Sequence, residues 1–90
     1  MGLDRTKYIV IMKLQIISLK GIEFEGEIIS VNLKTTSGEI TVLDNHRPIV
    51  TALAPGKLSV IKKGGDRVIF NINSGFLELD KNSRATILTG

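Results

Sequence analysis

Apolar and polar residues alternate with a period of two along most of this chain. Ile29, Val31 and Leu33 are separated by polar residues, as in a strand with one buried face and one wet face. The same alternation predicts strands at 8–17, 28–34, 39–43, 48–53, 57–62, 67–73, 74–80 and 84–88. Branched side chains, which favour strands, fill these ranges. Nowhere does an apolar i, i+3, i+4 pattern last the roughly ten residues that a helix needs, so the pattern predicts an all-β chain.

Turn-forming residues separate the predicted strands. Gly64-Gly65 predicts a hairpin with a primed turn, because paired glycines supply the positive φ angles that such a turn requires. Ala54-Pro55-Gly56 has the proline-then-glycine order of a type II turn, and Ser37-Gly38 and residues 80–83 are further turn clusters. About eight to ten short strands at this spacing predict a two-sheet β-sandwich or flattened barrel.

Length and composition limit what such a domain can hold. Ninety residues form one domain, 1–90, in which Met12 is an alternative start and residues 1–11 a possible extension. The chain has no cysteine and one histidine, which excludes disulfides and cysteine-based zinc sites and predicts neither a metal nor a cofactor. Its apolar runs of about five residues are far shorter than the roughly 20 of a spanning helix.

The positive charge of the chain is mild and dispersed. The formal charge is +3, and Lys62-Lys63 is the one adjacent basic pair in the sequence. One tyrosine, three phenylalanines and no tryptophan offer few stacking surfaces for bases. Nucleic acid is therefore not predicted as a partner, although a small basic β-barrel that binds nucleic acid stays open as an alternative.

Catalytic signals are scarce. No glycine-rich phosphate loop is present, and a nucleophile–base pair would have to combine a serine or threonine with His46. An enzyme would need a pocket that joins His46 to a carboxylate such as Asp44 or Glu39. Three further carboxylates alternate in sequence, would share one face of an extended strand, and are interpreted as a solvated edge: Glu23, Glu25 and Glu27. The sequence predicts a protein that is not an enzyme.

The segment from Ser37 to Gly56 is the most distinctive part of the chain. A polar loop, 44–47, interrupts two short apolar strands and carries the histidine beside an arginine. From physics alone this is a capped surface loop. The stretch resembles the G-E-L-G-I-x-P-G-H-A-P-L-L-T-x-L-x-P-G signature of the epsilon subunit of F-type ATP synthases. The matching positions are Gly38, Glu39, Ile40, His46, Pro48, Thr51, Leu53, Pro55 and Gly56, and Val42, Ile49 and Val50 are similar apolar replacements.

Flanking blocks extend this resemblance to residues 12–90. Phe24-x-Gly26 is similar to the family's F-x-G opening, and the seven residues from Asn73 to Leu79 (N-S-G-F-L-E-L) are similar to its S-G-G-I-L-E-V strand. The sequence departs from the pattern at Thr41, at Asp44-Asn45 and at Arg47, which replace a glycine, a proline–glycine pair and an alanine. The backbone path of the loop is therefore not predicted.

The resemblance implies a rotor domain at the foot of the central stalk, which couples the gamma subunit to the ring of c subunits. Carried over by position, Asn45, His46, Arg47 and Pro48 would contact gamma, and Gly38 and Glu39 would contact the c ring. Membrane association would arise only through the complex, at the cytoplasmic face of a bacterial inner membrane or an equivalent organelle membrane. The family often continues into an inhibitory helical hairpin at the point where this chain stops. If the chain is complete, neither that inhibition nor a nucleotide site is expected, and a piece of a longer protein stays open as an alternative. A generic protein-interaction sandwich is the remaining alternative.

Overall fold

The computed structural model describes residues 12–43 and 47–90, in which all regular secondary structure is β-strand. The predicted loop residues 44–46 and the predicted strand residues before Met12 lie outside these ranges. The strands are β1 (Met12–Ser18), β2 (Gly21–Thr35), β3 (Gly38–Val42), β4 (Ile49–Leu53), β5 (Gly56–Lys62), β6 (Arg67–Ile72), β7 (Gly75–Leu79) and β8 (Arg84–Thr89). Each overlaps a stretch in which alternation predicts a strand, and the all-β prediction is confirmed.

The long strand β2 connects two layers of sheet. Its first half pairs with β1, and its second half pairs with β5 and with the β3 hairpin. A bulge between Ile28 and Ser30 lies at the changeover, where it bends the strand. The hydrogen-bonded order is β1-β8-β7-β4-β2-β5-β6, and β1 also pairs with β2, so five strands close on themselves. We call β4, β7, β8, β1 and the first half of β2 the first layer. The second layer is β3, the second half of β2, β5 and β6.

Both layers contribute the alternate, inward-facing side chains to one core. Representative fully buried residues are Leu14, Leu77 and Ile87 from the first layer and Val31, Leu58 and Val60 from the second. Phe24 and Phe70 bridge the layers at the rim, with ring centroids 5.9 Å apart in an edge-to-face arrangement. Since neither layer can bury its apolar face alone, this shared core holds the outer faces in fixed positions.

The β5–β6 hairpin differs from its prediction. Gly65 has a φ of +98°, but Gly64 has no positive φ, so the predicted primed turn is wrong. The backbone N–H of Gly65 donates to the carbonyl of Lys62, and Lys62 donates to Asp66, which leaves three residues in the loop. This is the pattern of a type I turn followed by one left-handed glycine, which needs a single positive φ.

Candidate interaction surfaces

Gly38 and Glu39, predicted to contact the c ring, lie at the tip of the β2–β3 hairpin. The side-chain hydroxyl of the buried Thr35 accepts a hydrogen bond from the Ser37 N–H (3.1 Å) and donates to the Gly38 carbonyl (2.8 Å). Glu39 is exposed, and its cross-strand neighbour Lys34 lays its side chain beside Gly56. The hairpin therefore presents the Glu39 carboxylate to solvent from a well-braced turn.

Two of the four residues predicted to contact gamma belong to the described part of the chain. Asn45 and His46 lie outside the described residues, whereas Arg47 and Pro48 are exposed immediately before β4. Strand β4 begins next to Pro48, and its last residue, Leu53, pairs with Thr35 beside the β2–β3 hairpin. The five residues of β4 span roughly 13 Å at about 3.3 Å per residue, so Arg47 and Pro48 precede the end of β4 that lies farther from the hairpin.

The three alternating carboxylates do not form one cluster. Glu25 accepts a hydrogen bond from Gln15 (3.0 Å), and Glu27 forms an ion pair with Lys63 (3.4 Å). Glu23 is the extra, unpaired residue of a β-bulge opposite Ile16 and Ile17. The prediction that all three carboxylates share one face is therefore wrong for Glu23, whose carboxylate accepts a hydrogen bond from the Ser18 hydroxyl (2.7 Å). This half of β2 pairs with β1 alone as far as Gly26, in agreement with an interpretation as a solvated edge.

Within residues 12–43 and 47–90 no group of three or more histidine or acidic side chains is placed to hold a metal ion. No helix in this part of the chain is long and apolar enough to cross a membrane.

The outer face of the first layer is graded from charged to apolar. The strand registers arrange its side chains in three rows that run from β7 or β4 across to β2. The charged row is Asp80, whose N–H donates to the Arg84 carbonyl just beyond β7, with Arg84, Lys13 and Glu27. The polar row is Val50, Glu78, Thr86, Gln15 and Glu25. The third, which we call the apolar row, is Ala52, Phe76, Leu88, Ile17 and Ile22.

The apolar row is open to solvent. Phe76, Leu88 and Ile22 are 55%, 50% and 58% exposed, and Val50 beside them on β4 is 69% exposed. Contiguous exposed apolar residues on one face are typical of a protein contact surface. The sequence contains the signal in adjacent apolar pairs such as Ile16-Ile17, Ile49-Val50 and Ile87-Leu88, which put apolar groups on both faces of a strand. The sequence pattern did not predict this surface, because these apolar pairs were used only to locate strands and not to ask which side chains remain exposed.

The outer face of the second layer is more polar. Asn32 donates a hydrogen bond to the Thr41 hydroxyl (2.8 Å) across β2 and β3, and Ser59 lies opposite Asn32 on β5. Lys34 and Lys57 add charge at one end of this face. The two layers therefore present different chemistry on opposite sides of the molecule.

Comparisons with known proteins agree on one family. The model of the family described as "ATP synthase, Delta/Epsilon chain, beta-sandwich domain" matches residues 11–90. The chain is 32% identical over 80 residues to the ATP synthase epsilon chain of Sulfurovum sp. (strain NBC37-1), covering 89% of this chain and 62% of that protein. It is 38% identical over 65 residues to the epsilon chain of Protochlamydia amoebophila (strain UWE25), covering 72% of this chain and 44% of that protein. The chain thus spans less than two thirds of the length of either relative.

Solved structures share the fold. A chain in the cryo-EM structure of the Euglena gracilis mitochondrial ATP synthase, OSCP/F1/c-ring, matches with a TM-score of 0.83 and 26% identity. The match covers 88% of this chain and 50% of that one. A chain in the central stalk/c-ring structure of the Tetrahymena thermophila enzyme matches with a TM-score of 0.71 and 14% identity, covering 87% and 62%. From the family match and the epsilon-chain relatives together, the chain belongs to the beta-sandwich domain family of ATP synthase delta and epsilon chains.

Proposed function

We propose that this chain is a non-catalytic rotor module of an F-type ATP synthase, which joins the gamma subunit to the c ring. Family membership supports the assignment to the enzyme, and the Euglena assembly that contains a similar chain includes a c ring. The apolar row is the observation that carries the proposal, because a closed sandwich with a core of its own has no internal need for such a face.

The apolar row and the adjacent Val50 form the gamma-facing contact in this proposal. Five strands at about 4.8 Å spacing make the row roughly 19 Å long, about the length of 13 residues of α-helix. Val50 continues the surface along β4 toward Pro48 and Arg47, which the family pattern assigns to the same partner. Half-exposed aromatic and aliphatic side chains on rigid strands contribute most when a partner buries them.

Glu39 faces the c ring in this proposal and contributes specificity. Glu39 is exposed and lies next to the tip of the β2–β3 hairpin. A charged contact at the rim of an interface selects the partner and its orientation more than it adds affinity. The protein then associates with the membrane through the complex, at the cytoplasmic face of a bacterial inner membrane or the equivalent organelle membrane.

Co-purification with the cognate gamma subunit tests this assignment. The unmodified chain should retain gamma, and Leu88→Lys should lower the affinity at least about tenfold, because it introduces a charge into the apolar row. Ile69→Lys is the matched control, since Ile69 is 54% exposed but lies on the second layer. An unmodified chain that does not retain gamma, or an equal loss in both variants, would contradict the proposal.

A further inference from the structure

Strand β6 ends the sheet of the second layer and has an open edge. It pairs with β5 on one side, and no other strand in the described part of the chain pairs with it. Its six residues, Arg67–Ile72, contain no proline and no bulge, and the outward-facing Ile69 is 54% exposed. Prolines, bulges and charged side chains usually block natural edges, and the one charge in β6 is Arg67 at its first residue, so the rest of the edge is suited to pair with another strand.

The hydrogen-bond pattern of the hairpin identifies which backbone groups face this edge. The backbone N–H of Lys62 donates to the Asp66 carbonyl (2.8 Å), so Lys62 and Asp66 form a hydrogen-bonded pair. The next pair along the ladder, Ile61 and Arg67, is therefore a non-hydrogen-bonded pair. Bonded and non-bonded pairs alternate along an antiparallel ladder. The N–H and C=O groups of Arg67, Ile69 and Asn71 therefore point away from β5, toward the open edge.

We propose that two copies of this chain pair antiparallel through their β6 edges, on a two-fold axis that passes between the two Ile69 residues. For hydrogen bonds to form between the copies, the outward-pointing residues of one β6 must lie opposite the outward-pointing residues of the other β6. A register centred on Ile69 meets this condition for Arg67, Ile69 and Asn71. Ile69 then lies opposite Ile69 of the second copy, and Arg67 lies opposite Asn71 of the second copy. This register makes three hydrogen-bonded pairs and covers an exposed isoleucine on each chain.

The side chains around β6 suit this register. The inward-facing Val68 and Phe70, both half-buried, meet across the axis and extend the apolar core from one copy to the next. The two Arg67 side chains stay apart, each opposite the other copy's Asn71. This register therefore does not bring the two like charges together.

A consequence of the two-fold arrangement is that it terminates. Each copy uses its β6 edge once, and the pair offers no further β6 edge, so the association stops at a dimer instead of growing into a fibre. The area is small, and a weak dimer is expected that dissociates on dilution. The inference does not depend on the assignment to ATP synthase, because its test uses this chain alone.

Sedimentation equilibrium of the purified chain over a concentration series provides the first test. The average mass should rise from the 9.8 kDa of one chain toward twice that value. Ile69→Lys places two like charges directly opposite each other and should keep the chain at the monomer mass at every concentration. Leu88→Lys, on the first layer, should dimerise as the unmodified chain does. A monomer at all concentrations, or a dimer abolished by Leu88→Lys and not by Ile69→Lys, would overturn the proposal.

Disulfide trapping is a second test that does not depend on the strength of the dimer. The chain has no cysteine, so Ile69→Cys introduces a single thiol. Directly opposed bonded residues have Cα atoms about 5.5 Å apart, within the range of a disulfide. Mild oxidation should cross-link the Ile69→Cys chain much faster than a Leu88→Cys chain of similar exposure, with circular dichroism confirming that both are folded. Equal cross-linking rates would be evidence against the β6 edge.

Discussion

At the scale of single residues, the backbone carries constraints that side-chain patterns do not reveal. Gly75 is an example, because its φ of +151° and its surroundings both exclude a side chain. A Cβ at this position would lie 2.0 Å from the Leu88 carbonyl oxygen, which belongs to the paired strand β8 and cannot rotate away. The family-like motif around Gly75 marks the residue in the sequence, but the reason for it is visible only in the packing of β7 against β8.

We expect Gly75→Ala to lower the free energy of unfolding by about 3 kcal/mol, because it combines a strained φ with a backbone clash. Gly64→Ala is the matched control, since a Cβ at Gly64 meets nothing within 4 Å and its φ is not positive. The control should stay within about 0.5 kcal/mol of the unmodified chain. Urea unfolding of the three proteins measures this difference, and indistinguishable midpoints would contradict the steric argument.

At the scale of strands and turns, local patterns predicted the elements well and their arrangement poorly. Alternation located the strands because one face of each is buried. It could not predict the parallel pairing of β1 with β8, or the closure at Thr35–Leu53, because both join residues far apart in the chain. The rows of the first layer depend on these registers, so the apolar row could not be assembled from sequence even though its members were visible as apolar pairs.

The β7–β8 turn shows how one side chain fixes an element. An Asp80 carboxylate oxygen accepts hydrogen bonds from the Asn82 N–H (2.7 Å) and the Arg84 N–H (3.1 Å). We expect Asp80→Ala to cost about 1 kcal/mol, which lowers the Tm of a domain this size by roughly 4–8 °C. The exposed neighbour Lys81 is the control, and Lys81→Ala should leave the Tm almost unchanged. A thermal melt in which both variants unfold together would show that the carboxylate does not brace the turn.

At the scale of the whole molecule, the sandwich separates two kinds of surface. The apolar row lies on the outer face of the first layer, whereas the Glu39 carboxylate projects from the outer face of the second. Rotation could be transmitted between two partners only if the body between them resists shear. Close-packed, interdigitated layers closed by β2 supply that resistance.

The proposed function therefore predicts that binding to the two partners can be impaired separately. Glu39→Lys should reduce retention of the chain, together with gamma, on membranes that contain the c ring, and it should leave the affinity for gamma in solution unchanged. The loss should be larger at low salt, because charges at an exposed rim are screened as ionic strength rises. Asp66→Lys makes the same change of charge in the β5–β6 turn, at the opposite end of β5 from the β2–β3 hairpin, and should have no effect on either step. If Glu39→Lys instead weakened gamma binding as Leu88→Lys does, the carboxylate would belong to the gamma contact and the assignment of the hairpin to the ring would be wrong.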